Sequence, residues 1–222
     1  MKIGIIGTGN MGRALGLRWA RVGHEVLFGS RDVKKAKAVA ADGSASTQGG
    51  DFDAAAAFGE VVLYTVRDYF PPRLLKEPHA LSGKIVIDCN NSAILGLDIS
   101  DPENRPGIHF TAAVPSHAER LAAAAPGARV VKAFNTMASQ VIELDRDRLA
   151  PRRVSVFLCS DDKQAKSVVK ELAKELGFSG VDCGGLDRAQ LVEAVGDFIR
   201  FQIIGMRLGP FATISLDVAP AR

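Results

Sequence analysis

The sequence predicts a doubly wound α/β fold, in which a mostly parallel sheet carries helices on both faces and a C-terminal helical extension follows. Three observations predict this fold. Short apolar runs alternate with segments of helical periodicity over roughly the first 90 residues, the pattern of repeated strand–helix–strand units. The first run, Ile3 to Ile6, is apolar apart from one glycine, as expected of a strand buried on both faces. A glycine-rich turn directly follows that run.

The remaining elements follow from periodicity and from residues that end helices. Apolar runs predict strands at 3–6, 25–28, 60–66, 84–89, 129–134, 153–159 and 180–183. Helical periodicity predicts helices at 11–22, 32–41, 52–58, 71–81, 117–125, 162–176 and 186–205. Gly23 and Gly177 stand where a helix commonly ends in glycine, and the proline-containing segment 93–107 is expected to be a loop. No linker or repeat divides the 222 residues, so we expect one domain over 1–222 with a helical extension at 186–222.

The turn after the first strand matches the pattern G-x-G-x-x-G and opens the first predicted helix, the context that makes this pattern informative. The first glycine permits the tight turn, the second lets the backbone approach a pyrophosphate, and the third lets helix and strand pack closely. The helix N-terminus then offers unpaired N–H groups to the phosphates. These features indicate a Rossmann-type dinucleotide-binding domain. The predicted phosphate-binding residues are Gly7, Thr8, Gly9, Asn10, Met11 and Gly12.

The end of the second predicted strand favours NADP(H) over NAD(H). NAD-specific domains place a carboxylate there for the ribose 2′-hydroxyl. This chain instead has Ser30 and Arg31 at that place, with Lys35 one helical turn further on. A hydroxyl, a guanidinium and an ammonium suit a 2′-phosphate. Asp32 is the contrary observation, and we interpret it as an acid in the first turn of the next helix.

Composition argues against several classes of protein. The net charge of +3 is small and the charges are interspersed, so nucleic acid is not an expected partner. No window approaches the ~20 apolar residues of a membrane span. The three cysteines, Cys89, Cys159 and Cys183, form no C-x-x-C motif and are expected to be small buried residues in a reducing cytoplasm. The four histidines lack metal-ligand spacing, so no metal site is predicted.

Several segments resemble the family of NADP oxidoreductases dependent on the deazaflavin coenzyme F420, and also the oxidoreductase domain of the STEAP metalloreductases. The matching segments are 3–12, 23–26, 29–31, 130–136 and 191–194. The resemblance covers nearly the whole chain, although only 3–12 and the Gly-Ser-Arg triplet at 29–31 are specific. It implies that 7–12 binds the pyrophosphate and that Ser30, Arg31 and Lys35 bind the 2′-phosphate.

The resemblance also implies where the redox chemistry occurs. The nicotinamide would lie near Thr65, Val66 and Arg67 and near 135–139, with the deazaflavin packed over it. Archaeal deazaflavin-dependent members read His-Thr-Ile-Pro where this chain has Asn-Thr-Met-Ala at 135–138. The Phe-Asn-Thr sequence at 134–136 is nearer to the metalloreductase domain, which works with a flavin. The second redox partner is therefore coenzyme F420 or a flavin.

We expect Asn135 and Thr136 to position the reacting ring, with Thr65 and Val66 as the wall beneath it. Asn90 follows a strand end, where α/β sheets bind ligands, and is expected to line the cleft. His117 is expected to begin a helix, with a pocket-lining role as the alternative. Direct hydride transfer between two cofactors needs apposition and exclusion of water more than acid–base catalysis.

Two other functions stay open, and the partner surface is a further expectation. An NADPH-dependent reductase of a small carbonyl would need a proton donor, for which Lys132 and Tyr69 are the candidates. A redox-sensing NADP-binding module would need no second cofactor. The last predicted helix is too apolar to face water all round, so we expect a homodimer through it. Its large apolar residues include Phe198, Phe201, Ile203, Ile204 and Met206.

Overall fold

A computed structural model of the chain describes residues 1–77, 79–91 and 115–219. The predicted loop at 93–107 lies outside these residues, as do the last three residues of the predicted extension. Within them, a parallel sheet of six strands has the order β3-β2-β1-β4-β5-β6. The strands are β1 (Lys2–Ile6), β2 (Glu25–Gly29), β3 (Thr47–Gly50), β4 (Val61–Tyr64), β5 (Ile85–Asp88) and β6 (Arg129–Lys132). This order is that of the Rossmann fold, so the predicted fold class is confirmed.

Two further strands extend the sheet beyond β6. Strands β7 (Ser155–Leu158) and β8 (Ser179–Asp182) pair with each other in parallel. An antiparallel bridge between Lys132 and Cys159 joins this pair to the six-stranded sheet. Because β7 runs against β6, residues near the end of β7 lie beside the last residue of β6.

Helices cover both faces of the sheet. They are α1 (Asn10–Arg21), α2 (Val33–Ala41), α3 (Phe52–Phe58), α4 (His117–Ala124), α5 (Ser139–Ile142), α6 (Arg146–Leu149), α7 (Lys163–Glu175) and α8 (Ala189–Ile204). One buried apolar cluster joins α1, α2 and α7 to the face that carries Ile3 and Ile5. A second joins α3, α4 and α8 to the opposite face, which carries Ile6. Alternating side chains of one strand therefore enter two separate cores, as a doubly covered sheet requires.

Most predicted elements are confirmed, but one predicted helix is wrong. In the described part of 71–81, the structure has a single 3-10 turn, Pro71–Arg73, followed by turns. Proline starts this turn without a backbone N–H, and a further proline at 78 cannot donate to a helical hydrogen bond. The spacing of apolar residues therefore predicted a helix where the chain forms only one short 3-10 turn.

Several predicted segments end earlier or begin later than expected. The strand predicted at 129–134 ends at Lys132, and Phe134 has a left-handed backbone with φ of 59°. The strand predicted at 153–159 begins at Ser155, because Arg153 is also left-handed with φ of 47°. The extension is helical to Ile204, and the chain from 206 to 219 is irregular. Strand β3 and the short helices α5 and α6 were not predicted.

Candidate functional site

The phosphate loop, residues 7–12, connects β1 to α1. Gly7 has φ of 113°. Its N–H donates to the carbonyl oxygen of Gly29 at 3.1 Å, and this hydrogen bond joins the turn to the end of β2. A Cβ on Gly12 would overlap the carbonyl oxygen of Gly7, so only glycine allows this close approach of α1 to the turn. The other loop residues face different surroundings: Thr8 is buried, Asn10 is exposed and Met11 is half-buried.

Gly9 is the residue at which the loop faces open space. It caps the N-terminus of α1, where no side chain forms a capping hydrogen bond and the first turn carries no acidic residue. A Cβ built on Gly9 would meet no described atom within 4 Å. The first N–H groups of α1 and its positive helix end therefore face a surface that a phosphate group could approach. These residues fit a pyrophosphate.

Thr65 braces this loop from β4's carboxyl end. Its Oγ1 lies 3.0 Å from the carbonyl oxygen of Ile6 and 3.2 Å from that of Gly7, and donates its single proton between them. Val66 packs beside Gly7 as well, while Arg67 is exposed. The structure thus brings 65–67 next to the phosphate loop, the side of the sheet on which the nicotinamide is expected.

The predicted 2′-phosphate residues lie just past the end of β2 and in the first turn of α2. Ser30 is buried, and its N–H donates to the carbonyl oxygen of Gly50 at 3.1 Å. Arg31 and Lys35 are both exposed. Among the described residues, neither of these two cations has an ion-pair partner. A hydroxyl and two uncommitted cations at one strand end fit a phosphomonoester.

Asp32 is the carboxylate closest in sequence to this group, and its role is local. It precedes α2 by one residue and caps the helix, its Oδ1 accepting from the N–H of Lys34 at 2.9 Å. The interpretation of Asp32 as a residue of the helix start therefore holds, although it stands at the cap and not in the first turn. One of its two oxygens is already engaged by the backbone.

Asn135 and Thr136, predicted to position the reacting ring, are both buried. The amide nitrogen of Asn135 donates to Asn91 Oδ1 at 2.8 Å and to the carbonyl oxygen of Val192 in α8 at 3.0 Å. Gly196 lets α8 approach both asparagines, since a Cβ there would lie 2.6 Å from Asn91 Oδ1. Within the described structure, Asn135 Oδ1 and Thr136 Oγ1 have no hydrogen-bond partner. Asn135 therefore fixes α8 to the sheet edge, and its role toward a ring stays a prediction.

Asn90, expected to line the cleft, sits at the end of β5. Its amide nitrogen donates to the carbonyl oxygen of Tyr64 at 3.1 Å and to Asp88 Oδ1 at 2.9 Å. The side chain is half-buried and links the carboxyl ends of β4 and β5. Its amide is thus turned toward the protein, and contact with a ligand stays a prediction.

A buried ion cluster lies beneath this edge, and sequence reasoning missed it. Lys132 is fully buried, and its Nζ lies 2.9 Å from Asp88 Oδ2 and 2.8 Å from Glu193 Oε1. Nζ also donates to the carbonyl oxygen of Asn90. His117 Nδ1 lies 3.0 Å from Asp88 Oδ1. We call Asp88, His117, Lys132 and Glu193 the ion cluster; it joins β5, β6, α4 and α8.

The charges of the ion cluster stabilise one another against burial. Burial alone would raise the pKa of Asp88, but the Lys132 ammonium and the contact with His117 outweigh it and hold that pKa well below its usual range. Burial alone would lower the pKa of His117, but its contact with Asp88 outweighs this and the pKa is raised. The second nitrogen, Nε2, lies 3.1 Å from the carbonyl oxygen of Arg67. Both ring nitrogens lie near acceptors, although Nδ1 forms no hydrogen bond, so its contact with Asp88 is one of charge.

This geometry bears on the two proton donors proposed for a carbonyl reductase. Lys132 is enclosed by carboxylates, and the same contacts raise its pKa, so it cannot reach or protonate a substrate. Tyr69 is partly exposed and packs edge-on against His117, with ring centroids 6.1 Å apart. His117 is buried at the start of α4 and lies beneath this tyrosine. Tyr69 is therefore the remaining candidate donor.

A metal site and a membrane-spanning helix are both absent from the described residues. There, no group of three or more His, Cys, Asp or Glu side chains is arranged to hold a metal ion. No helix in the same part of the chain has the length and apolar character needed to cross a membrane.

Comparison with known proteins decides the family. Residues 2–92 match the family described as NADP oxidoreductase, coenzyme F420-dependent. The chain is also 30% identical over 215 residues to the F420-dependent NADP reductase of Methanothermobacter marburgensis, an alignment covering 88% of this chain and 89% of the relative. The chain belongs to the F420-dependent NADP oxidoreductase family. The resemblance inferred from the sequence is thereby confirmed.

A solved structure and a metalloreductase are also similar to this chain. A crystal structure of a candidate F420-dependent NADP reductase from Arthrobacter sp. FB24 superposes with a TM-score of 0.80 at 26% identity, covering 98% of this chain and 100% of that one. Metalloreductase STEAP3 of Rattus norvegicus is 30% identical over 196 residues, which are 87% of this chain and 36% of that protein. The chain thus spans about a third of the length of the metalloreductases that it matches.

The raised pKa of His117 predicts a pH-dependent contribution to stability. The folded protein holds the proton more tightly than the unfolded chain, so this stabilisation is complete below the unfolded pKa of about 6.5 and is lost as pH rises through the folded pKa. His117→Gln should therefore lower the free energy of unfolding more at pH 6 than at pH 9, measured by urea denaturation.

His79→Gln is the matched control, because His79 is exposed. The lowered pKa of Cys183 makes a contribution to stability that grows as pH rises. This contribution is the same in the wild-type chain and in the His117→Gln variant, so it cancels when their free energies of unfolding are subtracted. An effect of His117→Gln that is equal at both pH values would contradict the proposed charge contact.

Proposed function

We propose that the chain is an NADP(H)-dependent oxidoreductase that transfers hydride between NADPH and coenzyme F420, with a flavin as the alternative acceptor. The observation that carries this proposal is the pairing of two phosphate-binding surfaces at one sheet edge. The open N-terminus of α1 at Gly9 and the uncommitted cations Arg31 and Lys35 are spaced along the carboxyl ends of β1 and β2. The family relationship supports the same assignment.

In this proposal, the chain contributes binding and orientation. The phosphate loop holds the pyrophosphate, while Ser30, Arg31 and Lys35 hold the 2′-phosphate and select NADP over NAD. Thr65 and Val66 form the wall beneath the nicotinamide, since they already pack against the phosphate loop. Asn90, Asn135 and Thr136 border the far side. When bound, the two cofactors supply the hydride donor and acceptor. No proton transfer from the protein is required for that step.

Two structural features favour this proposal over a carbonyl reductase. The Lys132 ammonium is buried in ion pairs with Asp88 and Glu193, so it cannot serve as a proton donor to a substrate. Asn135 Oδ1 and Thr136 Oγ1 are neutral groups without a partner in the described structure, which suits orienting a ring more than moving a proton.

We also propose that two copies associate through α8 and the segment that follows it. Leu191 and Phe198 are two helical turns apart, so they lie on one face of α8, and both are exposed. Exposed apolar side chains continue from the last residue of the helix into the segment after it, at Ile204, Met206, Leu208, Phe211, Leu216 and Val218. A surface of this kind suits a symmetric interface. The free thiols fit our proposal of a cytoplasmic location.

Arg31→Ala should weaken NADPH binding with little effect on NADH. Loss of one charge-assisted contact to a phosphate costs roughly 1.5–3 kcal/mol, so the NADPH dissociation constant should rise about 10- to 100-fold. Titration calorimetry with both nucleotides measures this, and Lys37→Ala, which removes an exposed cation of α2, is the control. Equal weakening of NADPH and NADH would place Arg31 away from the 2′-phosphate.

The hydride acceptor is tested by mixing the full chain and NADPH with coenzyme F420 in one cuvette and FMN in another, and following NADPH absorbance. We expect rapid NADPH loss with coenzyme F420, abolished in the Arg31→Ala variant at low NADPH. Loss with FMN alone would assign the flavin reductase function. Tight NADPH binding without turnover in either cuvette would exclude transfer between these cofactors and leave a carbonyl reductase or a sensor.

Phe198→Glu should convert a dimer into a monomer, because a carboxylate buried in an apolar interface has no partner. Sedimentation velocity measures the mass. The control is Val22→Glu, an exposed apolar residue at the end of α1. A wild-type chain that sediments as a monomer at high concentration would refute the proposed interface.

A further inference from the structure

Strands β7 and β8 place two cysteines side by side. The parallel register pairs Leu158 with Asp182, and the next residue on each strand is a cysteine, Cys159 and Cys183. The N–H of Cys183 donates to the carbonyl oxygen of Leu158 at 2.8 Å, so the pairing continues to this position. Residues in register on neighbouring strands point to the same face and lie about 4.8 Å apart. Disulfide-bonded cysteines have Cα atoms roughly 4.4–6.8 Å apart, so this pair is within bridging reach.

The two thiols differ in accessibility and in chemical character. Cys159 is fully buried, whereas Cys183 is half-buried. The neighbouring Cys159 thiol lowers the pKa of Cys183 to about 7, while the pKa of Cys159 is raised, and Cys183 Sγ also lies 3.7 Å from the carbonyl oxygen of Val181. Lys166 on α7 supports the Cys183 thiolate, and Asp182 opposes it. Cys183 therefore has the properties of an attacking thiolate and Cys159 those of a resolving thiol.

The third cysteine serves as an internal comparison. Cys89 follows β5 and is buried in the other apolar cluster. Its burial, with the charge of Asp88 beside it, raises its pKa to about 12. A thiol of this kind is inert, because the thiolate is the reactive form.

We propose that Cys159 and Cys183 are a site of oxidative modification, at which a peroxide drives formation of a reversible intramolecular disulfide. The Cys183 thiolate attacks one oxygen of hydrogen peroxide, the O–O bond breaks, and Cys183 becomes a sulfenic acid while hydroxide leaves. The Cys159 sulfur then attacks the Cys183 sulfur, the S–O bond breaks, and water leaves. Together with the proton released from each thiol, one peroxide is reduced to two waters and two thiols are oxidised to one disulfide.

The site is next to the ion cluster but belongs to neither cofactor surface. The backbone of Cys159 exchanges two hydrogen bonds with Lys132, at 2.9 and 3.2 Å. Cys183 leads through Gly184 into the segment that begins α8. The modification does not depend on the proposed hydride transfer, so it can be tested separately.

The test treats the reduced full chain with stoichiometric hydrogen peroxide, followed by intact mass measurement and thiol counting under denaturing conditions. We expect the wild-type chain to lose two of its three thiols and about 2 Da, both restored by dithiothreitol. Peptide mapping should link 159 to 183. A wild-type chain that keeps three thiols, or that is oxidised to a Cys183 sulfinic acid without the link, would overturn the proposal.

Variants assign the two roles. Cys159→Ser should stop at the Cys183 sulfenic acid, trapped by dimedone as a stable adduct. Cys183→Ser should keep both remaining thiols, and Cys89→Ser should behave as the wild type. Dimedone labelling of Cys159 in the Cys183→Ser variant would reverse the assigned order. The wild-type mapping decides the existence of the disulfide without reliance on any variant.

Discussion

The buried ammonium of Lys132 holds the carboxyl edge of the sheet together. It contacts Asp88 at the end of β5, Glu193 in the second turn of α8 and the backbone of Asn90. Removing one partner of such a buried contact typically costs about 3–5 kcal/mol, because the remaining charge is uncompensated. Strands β5 and β6 and helix α8 are therefore constrained to one arrangement. Asn90 and Asn135 follow β5 and β6, which this cluster fixes, and the contact of His117 with the carbonyl oxygen of Arg67 joins the segment 65–67 to it.

The fold was largely predictable because its signals are local. Buried strands such as β1 and β4 consist mainly of apolar residues, and the glycines past α1 and α7 both have left-handed backbones. Strand β3 escaped prediction because its sequence, Thr-Gln-Gly-Gly, has no apolar side chain. Its glycines have a packing role instead, since a Cβ on Gly49 would overlap the backbone of α2. Strand propensity does not account for a position that must be glycine because a neighbouring helix packs against it.

The site divides in the same way. The predicted phosphate loop is one continuous motif, and the residues predicted for the 2′-phosphate lie within six positions of one another, so local sequence was enough to propose both. The ion cluster draws on residues from four separate elements, including His117 and Glu193, and no spacing connects them. One signal was present: Asp88 and Lys132 occupy the last positions of two adjacent strands and are paired in register. Recognising it would have required the strand order, which the sequence does not state.

The segment after α8 changes how the sheet ends. It turns back so that the carbonyl oxygen of Ile214 accepts from the N–H of Ser155 at 2.9 Å, and the N–H of Leu216 donates to Ser155 Oγ at 2.9 Å. Unpaired strand edges are templates for association with other chains. Because these residues form hydrogen bonds with the start of β7, its backbone groups there are not available to pair with a strand of another chain. The same segment thus pairs with a strand edge through its backbone, while apolar side chains such as Phe211 and Leu216 remain exposed.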